Sequence, residues 1–201
     1  MTQARPLLGV FWMIVTGLCF VMVTALVKIV GPSVPPAEAA FLRYILGLVF
    51  LIPMLGPLRR ANLTPKVLKL ATIRGVVHTL AVILWFYSMT QIPIAEVTAM
   101  NYLSPVYVTI GAALVFGEKL AARRITAIAL ALIGAAIILR PGFRELSPGH
   151  IAMLFTALFF SIGYLITKQL VAEVSPTVVV AMLSITCLLY TSDAADEHRD
   201  V

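Results

Sequence analysis

Charge is scarce in this chain. Asp, Glu, Lys and Arg make up 12% of its 201 residues, about half the share of a soluble domain. Hydrophobic residues make up 61%, with a mean hydropathy of +1.01. A soluble fold of this length could not hide so much apolar surface, and the implied solvent is lipid. Cysteine is nearly absent. Cys19 and Cys187 lie inside apolar runs, which speaks against a disulfide framework and a thiolate metal site. There is no Gly-rich phosphate loop, so ATP driving has no support. No His/Cys cluster points to a metal, no constellation of nucleophile and base points to an enzyme, and no cofactor is implied. The net charge of +6 could indicate nucleic acid. The basic residues instead fall in short clusters between apolar runs, as at membrane flanks.

What the chain does have is a series of apolar runs near the roughly 20 residues of a spanning helix. The runs are Leu7–Val30, Ala37–Leu58, Leu70–Gln91, Ile94–Phe116, Ile125–Leu139, Gly149–Val171 and Thr177–Tyr190. The fifth is short and can begin nearer Ala121. The first is too long for the apolar region of a secretory signal and lacks a small-residue cleavage site, so it reads as a retained helix. Pro and Gly clusters punctuate the runs: Gly31-Pro32, Pro35-Pro36, Pro93, Pro141-Gly142 and Pro148-Gly149, since Pro lacks a donor and Gly loosens the backbone. The predicted fold is an all-α, multi-pass membrane bundle.

Basic residues set the expected orientation. With a cytoplasmic N-terminus, the inner segments hold Arg5, Arg59, Arg60, Lys66, Lys69, Lys119, Arg123, Arg124 and Lys168. The outer ones hold Arg140 and Arg144, with Lys28 near a rim. Cytoplasmic loops carry the excess of Lys and Arg.

The chain also repeats itself. Shifted by about 140 positions, Gly9 meets Gly149, Thr16 meets Thr156, Phe20 meets Phe160, Lys28 meets Lys168 and Pro36 meets Pro176. An odd number of intervening spans gives the two copies opposite senses, the inverted-repeat pattern of secondary transporters.

The stretch Gln91-Ile92-Pro93-Ile94-Ala95-Glu96-Val97-Thr98-Ala99-Met100-Asn101-Tyr102-Leu103-Ser104-Pro105, its continuation Phe116-Gly117-Glu118-Lys119-Leu120, and Phe41-Leu42-Arg43-Tyr44 resemble the EamA-type domain of the drug/metabolite transporter superfamily. The resemblance covers one five-helix repeat, residues 7–140, and the start of a second, residues 149–186. It implies two inverted five-helix halves, a small-molecule substrate, alternating access, no resident cofactor, and a bacterial cytoplasmic (inner) membrane. Relative to that pattern this chain is expected to be truncated within the second repeat and inactive alone. Residues 187–201 are expected to be non-native, because Cys187-Leu188-Leu189-Tyr190-Thr191-Ser192-Asp193-Ala194-Ala195-Asp196-Glu197 resembles the translation of a sequencing-library adapter.

Polar groups inside membrane helices are the site candidates. Arg43 is read as a contact for an anionic group, or as a partner for Glu38 or Glu96. Its plainer roles are a structural ion pair or snorkelling. Thr16, Phe20, Thr24 and Lys28 recur every fourth residue on one slowly winding face, as do Thr156, Phe160, Tyr164 and Lys168. The Thr and aromatic positions are read as cavity lining, or else as helix packing, and the two lysines as rim anchors. His78 is a proton relay or a neutral hydrogen-bonding His, and Trp85 a stacking platform or part of an interfacial belt. Asn101 and Ser104 stand beside Pro105, which frees a carbonyl and can kink its helix. Glu96 opens a helix, where the dipole favours an anion. Two rival readings remain: a non-transporting assembly or regulatory membrane protein, and an intramembrane enzyme. A homo-oligomer stays open.

Overall fold

The computed structural model describes residues 6–30, 33–118, 121–139 and 147–197. Of the residues in the orientation argument, Arg5, Lys119, Arg140 and Arg144 lie outside that set, as do tail residues 198–201. The described residues form helices and no strand: α1 (Pro6–Val30), α2 (Pro36–Leu51), α3 (Leu55–Arg60), α4 (Pro65–Gln91), α5 (Ile94–Asn101), α6 (Leu103–Phe116), α7 (Ala122–Leu139), α8 (Pro148–Glu173) and α9 (Pro176–Glu197). Proline is the first residue of α1, α2, α4, α8 and α9. That position needs no N–H, and the ring presets the helical φ. Gly117, at φ 67°, closes α6 in the left-handed region, the usual glycine exit from a helix.

Leu7–Ile29, Pro65–Gln91, Ile94–Phe116 and Pro148–Glu173 are each long and apolar enough to cross a membrane. The expected second span is not one straight helix. Pro36–Gly47 and Ile52–Arg60 meet at 64°, joined by a tight 3-10 turn over Ile52–Met54. Pro53 cannot donate within that turn, and Gly56 and Pro57 follow it. The fourth span is interrupted at Tyr102, three residues before Pro105. Large apolar side chains face outward, among them Leu18 and Met22 on α1, Leu114 on α6, and Ile133 and Ile137 on α7. The bilayer solvates such faces while each helix satisfies its own backbone. The protein is an all-α, multi-pass membrane protein.

α4 is the spine, and α8 is its most extensive partner, followed by α9. One apolar cluster joins Ala40, Val82, Trp85, Phe86, Met89, Val97, Met100 and Met153. A second, nearer the start of α4, joins Val67, Ala71, Leu170, Val178 and Met182. At Gly75 a Cβ would meet Thr186 Cγ2 at 2.2 Å, so only glycine lets α9 approach this closely.

Helix direction follows from the ends. Lys28, at the end of α1, donates to the carbonyls of Met89 (2.7 Å) and Ile92 (3.3 Å) at the end of α4. α1 and α4 therefore run in parallel. α8 begins with Gly149 against Gln91 and Ile92 and finishes with Glu173 paired to Lys66 (2.6 Å) at the start of α4. α8 is antiparallel to α4, and so runs opposite to α1.

Candidate functional site

A cavity of about 990 Å³ lies between α1, α5 and α8. α1 contributes Trp12, Thr16, Phe20 and Thr24, with Gly9 and Gly17 between them. α5 contributes Thr98 and Asn101, Tyr102 follows at the helix break, and Tyr164 comes from α8. Five of the residues singled out from sequence thus face one space: Thr16, Phe20, Thr24, Asn101 and Tyr164. A Cβ added at Gly9 or Gly17 would meet nothing within 4 Å, so the two glycines widen the α1 wall. Thr16, Thr24 and Thr98 donate to Trp12, Phe20 and Ile94 carbonyls, each at 2.8 Å.

Trp85 sits one layer behind. It is buried, and its ring stacks on Phe20 at 5.1 Å and 15°, so it stiffens the wall from α4. His78 is outside the cavity, edge-on to Phe160 at 5.3 Å. Phe20 and Phe160 thus both pack on α4. Ser104 is buried. Its carbonyl accepts from Ser161 Oγ (3.0 Å), and its own hydroxyl has no partner among the described residues. Pro105 is exposed beside it. Arg74, in the first half of α4, donates to the Val179 carbonyl of α9 at 3.0 Å.

Arg43 lies elsewhere. It lines a smaller groove, about 440 Å³, with Val23, Leu26, Val27, Leu42, Leu46 and Phe86, and among the described lining residues it is the charged one. Glu38 is half-buried in the first turn of α2. Glu96 is buried at the start of α5, and His150 Nε2 donates to its Oε2 at 2.9 Å. The tautomer is fixed by the other side of the ring: the Ser147 backbone N–H must donate to His150 Nδ1 (3.1 Å), which leaves the ring proton on Nε2. The pair ties α5 to α8.

The opposite end of the bundle is ionic and exposed. Lys168 of α8 and Arg124 of α7 both pair with Glu118, the latter at 3.1 Å. Hydrogen bonds from Lys168 and then Arg124 hold the Glu118 carboxyl below the ordinary carboxylate range. Among the described residues no group of His, Cys, Asp and Glu could hold a metal ion.

Sequence reasoning missed His150, Trp12, Thr98 and Tyr102. Trp12 extends the four-residue stripe of Thr16, Phe20 and Thr24 back by one step. Thr98, Asn101 and Tyr102 stand at the three- and four-residue spacing of one helical face. His150 carried a weaker signal, the third residue after a Ser-Pro helix start.

The chain is 28% identical over 182 residues to a riboflavin transporter of Rhizobium johnstonii, covering 90% of this chain and 60% of the relative. It is 27% identical over 166 residues to the pseudopaline exporter CntI of Pseudomonas aeruginosa, covering 82% and 58%. An S-adenosylmethionine uptake transporter of Rickettsia prowazekii is 21% identical over 167 residues, covering 83% and 57%. The chain thus spans about 60% of the length of these curated relatives. No solved structure matches it. The family model described as the EamA-like transporter family matches residues 7–140, two-thirds of the chain, and that match, on a bundle of apolar helices around a polar and aromatic cavity, makes this chain a member of the EamA-like transporter family.

Proposed function

We propose that the protein carries a small molecule across a bacterial inner membrane by alternating access, without ATP and without a catalytic step. The observation that carries this reading is the cavity between α1 and α8, two helices of related sequence that run in opposite senses. Opposed helices around a central site allow one half to rock against the other. The relatives support transport in general. Their names give three different cargoes and both uptake and export, so neither substrate nor direction passes to this chain. The proposed organisation is one complete repeat over residues 7–140, the start of an inverted second repeat over 149–186, and a non-native segment from 187. The helix α9 runs through that boundary to Glu197. The N-terminus is assigned to the cytoplasm, which places Glu118, Arg124, Lys168 and Lys66 inside. Arg43 is assigned a supporting role at the second groove.

Proteoliposomes test this. The protein at its relatives' full length should take up or exchange a small molecule without ATP, whereas the 201-residue chain alone should not. Gly17→Leu should abolish movement, because its side chain enters open cavity space. Normal transport by Gly17→Leu would show that the substrate travels elsewhere.

A further inference from the structure

The cavity wall has a chemical bias that narrows the cargo. Among the described residues its lining contains no Asp, Glu, Lys, Arg or His. An ionised ligand would leave water there without a counter-charge, which is costly in a low-dielectric setting. The wall is also flat-faced. Trp12, Phe20, Tyr102 and Tyr164 line it, and Phe20 is held in plane by the parallel ring of Trp85. Aromatic faces favour planar rings through offset stacking and edge contacts.

The hydroxyls set the hydrogen-bond polarity. A threonine has one proton and two lone pairs. Thr16, Thr24 and Thr98 each commit that proton to a carbonyl of their own helix. Toward the cavity they present acceptors. Asn101 adds a group that can both donate and accept. Trp12 Nε1–H and the Tyr102 and Tyr164 hydroxyls add donors elsewhere on the wall, while the three threonine acceptors fit a ligand that brings a donor to meet them.

We propose, resting on the transporter reading above, that this cavity binds an uncharged planar heteroaromatic ring bearing at least one N–H donor. The cavity volume, about 990 Å³, lies at the upper end of small-molecule sites, about 300–1,000 Å³. It accommodates such a ring with a substituent.

Trp12 and Trp85 are the two tryptophans of the chain, one in the wall and one behind Phe20, so intrinsic fluorescence reports on the site. The 201-residue chain in lipid nanodiscs is titrated with theophylline, which is planar, uncharged near neutral pH and carries one ring N–H. Caffeine is the same ring with that nitrogen methylated, and urate is a planar anion. Theophylline should quench saturably, and caffeine and urate should bind roughly tenfold more weakly or not at all, the weight of one hydrogen bond to a good partner. Thr16→Val keeps the side-chain shape and removes the acceptor. It should weaken theophylline several-fold and leave caffeine unchanged, with helicity by circular dichroism unaltered. Caffeine binding as tightly as theophylline overturns the donor assignment. Urate binding as tightly overturns the charge assignment, and saturable binding of none of the three overturns the planar class. Because binding is read with no gradient, its failure is separate from a failure of transport. Transport of aliphatic or charged cargo by the full-length protein would sink this proposal and leave the transporter reading intact.

Discussion

α1 and α8 carry one pattern and lead different lives. Gly9, Thr16, Phe20 and Lys28 recur as Gly149, Thr156, Phe160 and Lys168. On α1 the glycine faces open space, the threonine faces the cavity, and the lysine caps α4. On α8 the glycine is pressed onto Gln91, the threonine is fully buried against α4, and the lysine pairs with Glu118. Even the shared detail persists: Thr16 donates to Trp12 and Thr156 to Ala152, each four residues back. A stripe of this kind specifies which face of a helix is special. Whether that face becomes wall or core depends on the neighbour it meets.

The largest effect should separate the glycines. A Cβ at Gly149 would lie 2.7 Å from Gln91 Cβ and 3.0 Å from Ile92 Cγ2, atoms close to the backbone that cannot swing away. Gly149→Val should cost about 3 kcal/mol, at the upper end of overpacking, read as a lower midpoint in SDS titration from mixed micelles. Gly9→Val should stay within about 0.5 kcal/mol. Equal losses at both positions would erase the distinction between the helices.

The lysines should differ less. Lys28 donates to two helix-end carbonyls in a partly buried place, and Lys28→Met should cost about 2 kcal/mol, typical of charge-assisted bonds. Lys168→Met should leave the midpoint unchanged near neutral pH, since exposed pairs contribute little. The pH dependence sharpens this. The carboxyl of Glu118 is lowered in the folded protein, so its contribution is present above the ordinary carboxylate range and is lost as pH falls through the lowered value. Glu118→Gln should therefore track the unmodified protein in parallel from about pH 6 to 8, and the two should converge in acid. A gap between the two that widens as the pH falls into the acid range would contradict the sign.

The smallest effect should distinguish the threonines. Thr156→Ala removes a buried hydroxyl that bonds Ala152 and approaches Ala81 O at 3.5 Å, and should cost about 1 kcal/mol. Thr16→Ala should leave stability unchanged. A loss at Thr16 as large as at Thr156 would make its face a packing face.

Much of the fold is legible in the order of residues alone. Apolar run length identifies the helices and the lipid solvent, because a spanning helix must satisfy its own backbone and expose apolar side chains. Four-residue spacing places Thr16, Phe20 and Thr24 on one face, because helix geometry is local. Pro36, Pro65, Pro148 and Pro176 mark helix starts for an equally local reason. Tertiary packing decides the rest. Nothing in the spacing of Trp85 says that its ring backs Phe20 instead of meeting a ligand. Nothing near Arg43 says that it lines a second groove, apart from Asn101 and Tyr164. Glu96 and His150 stand 54 positions apart, and their bond exists only because α8 turns back along α4 and brings its first turn to the start of α5. Periodicity carries the direction in which a side chain points, and only the assembled bundle determines what it meets there.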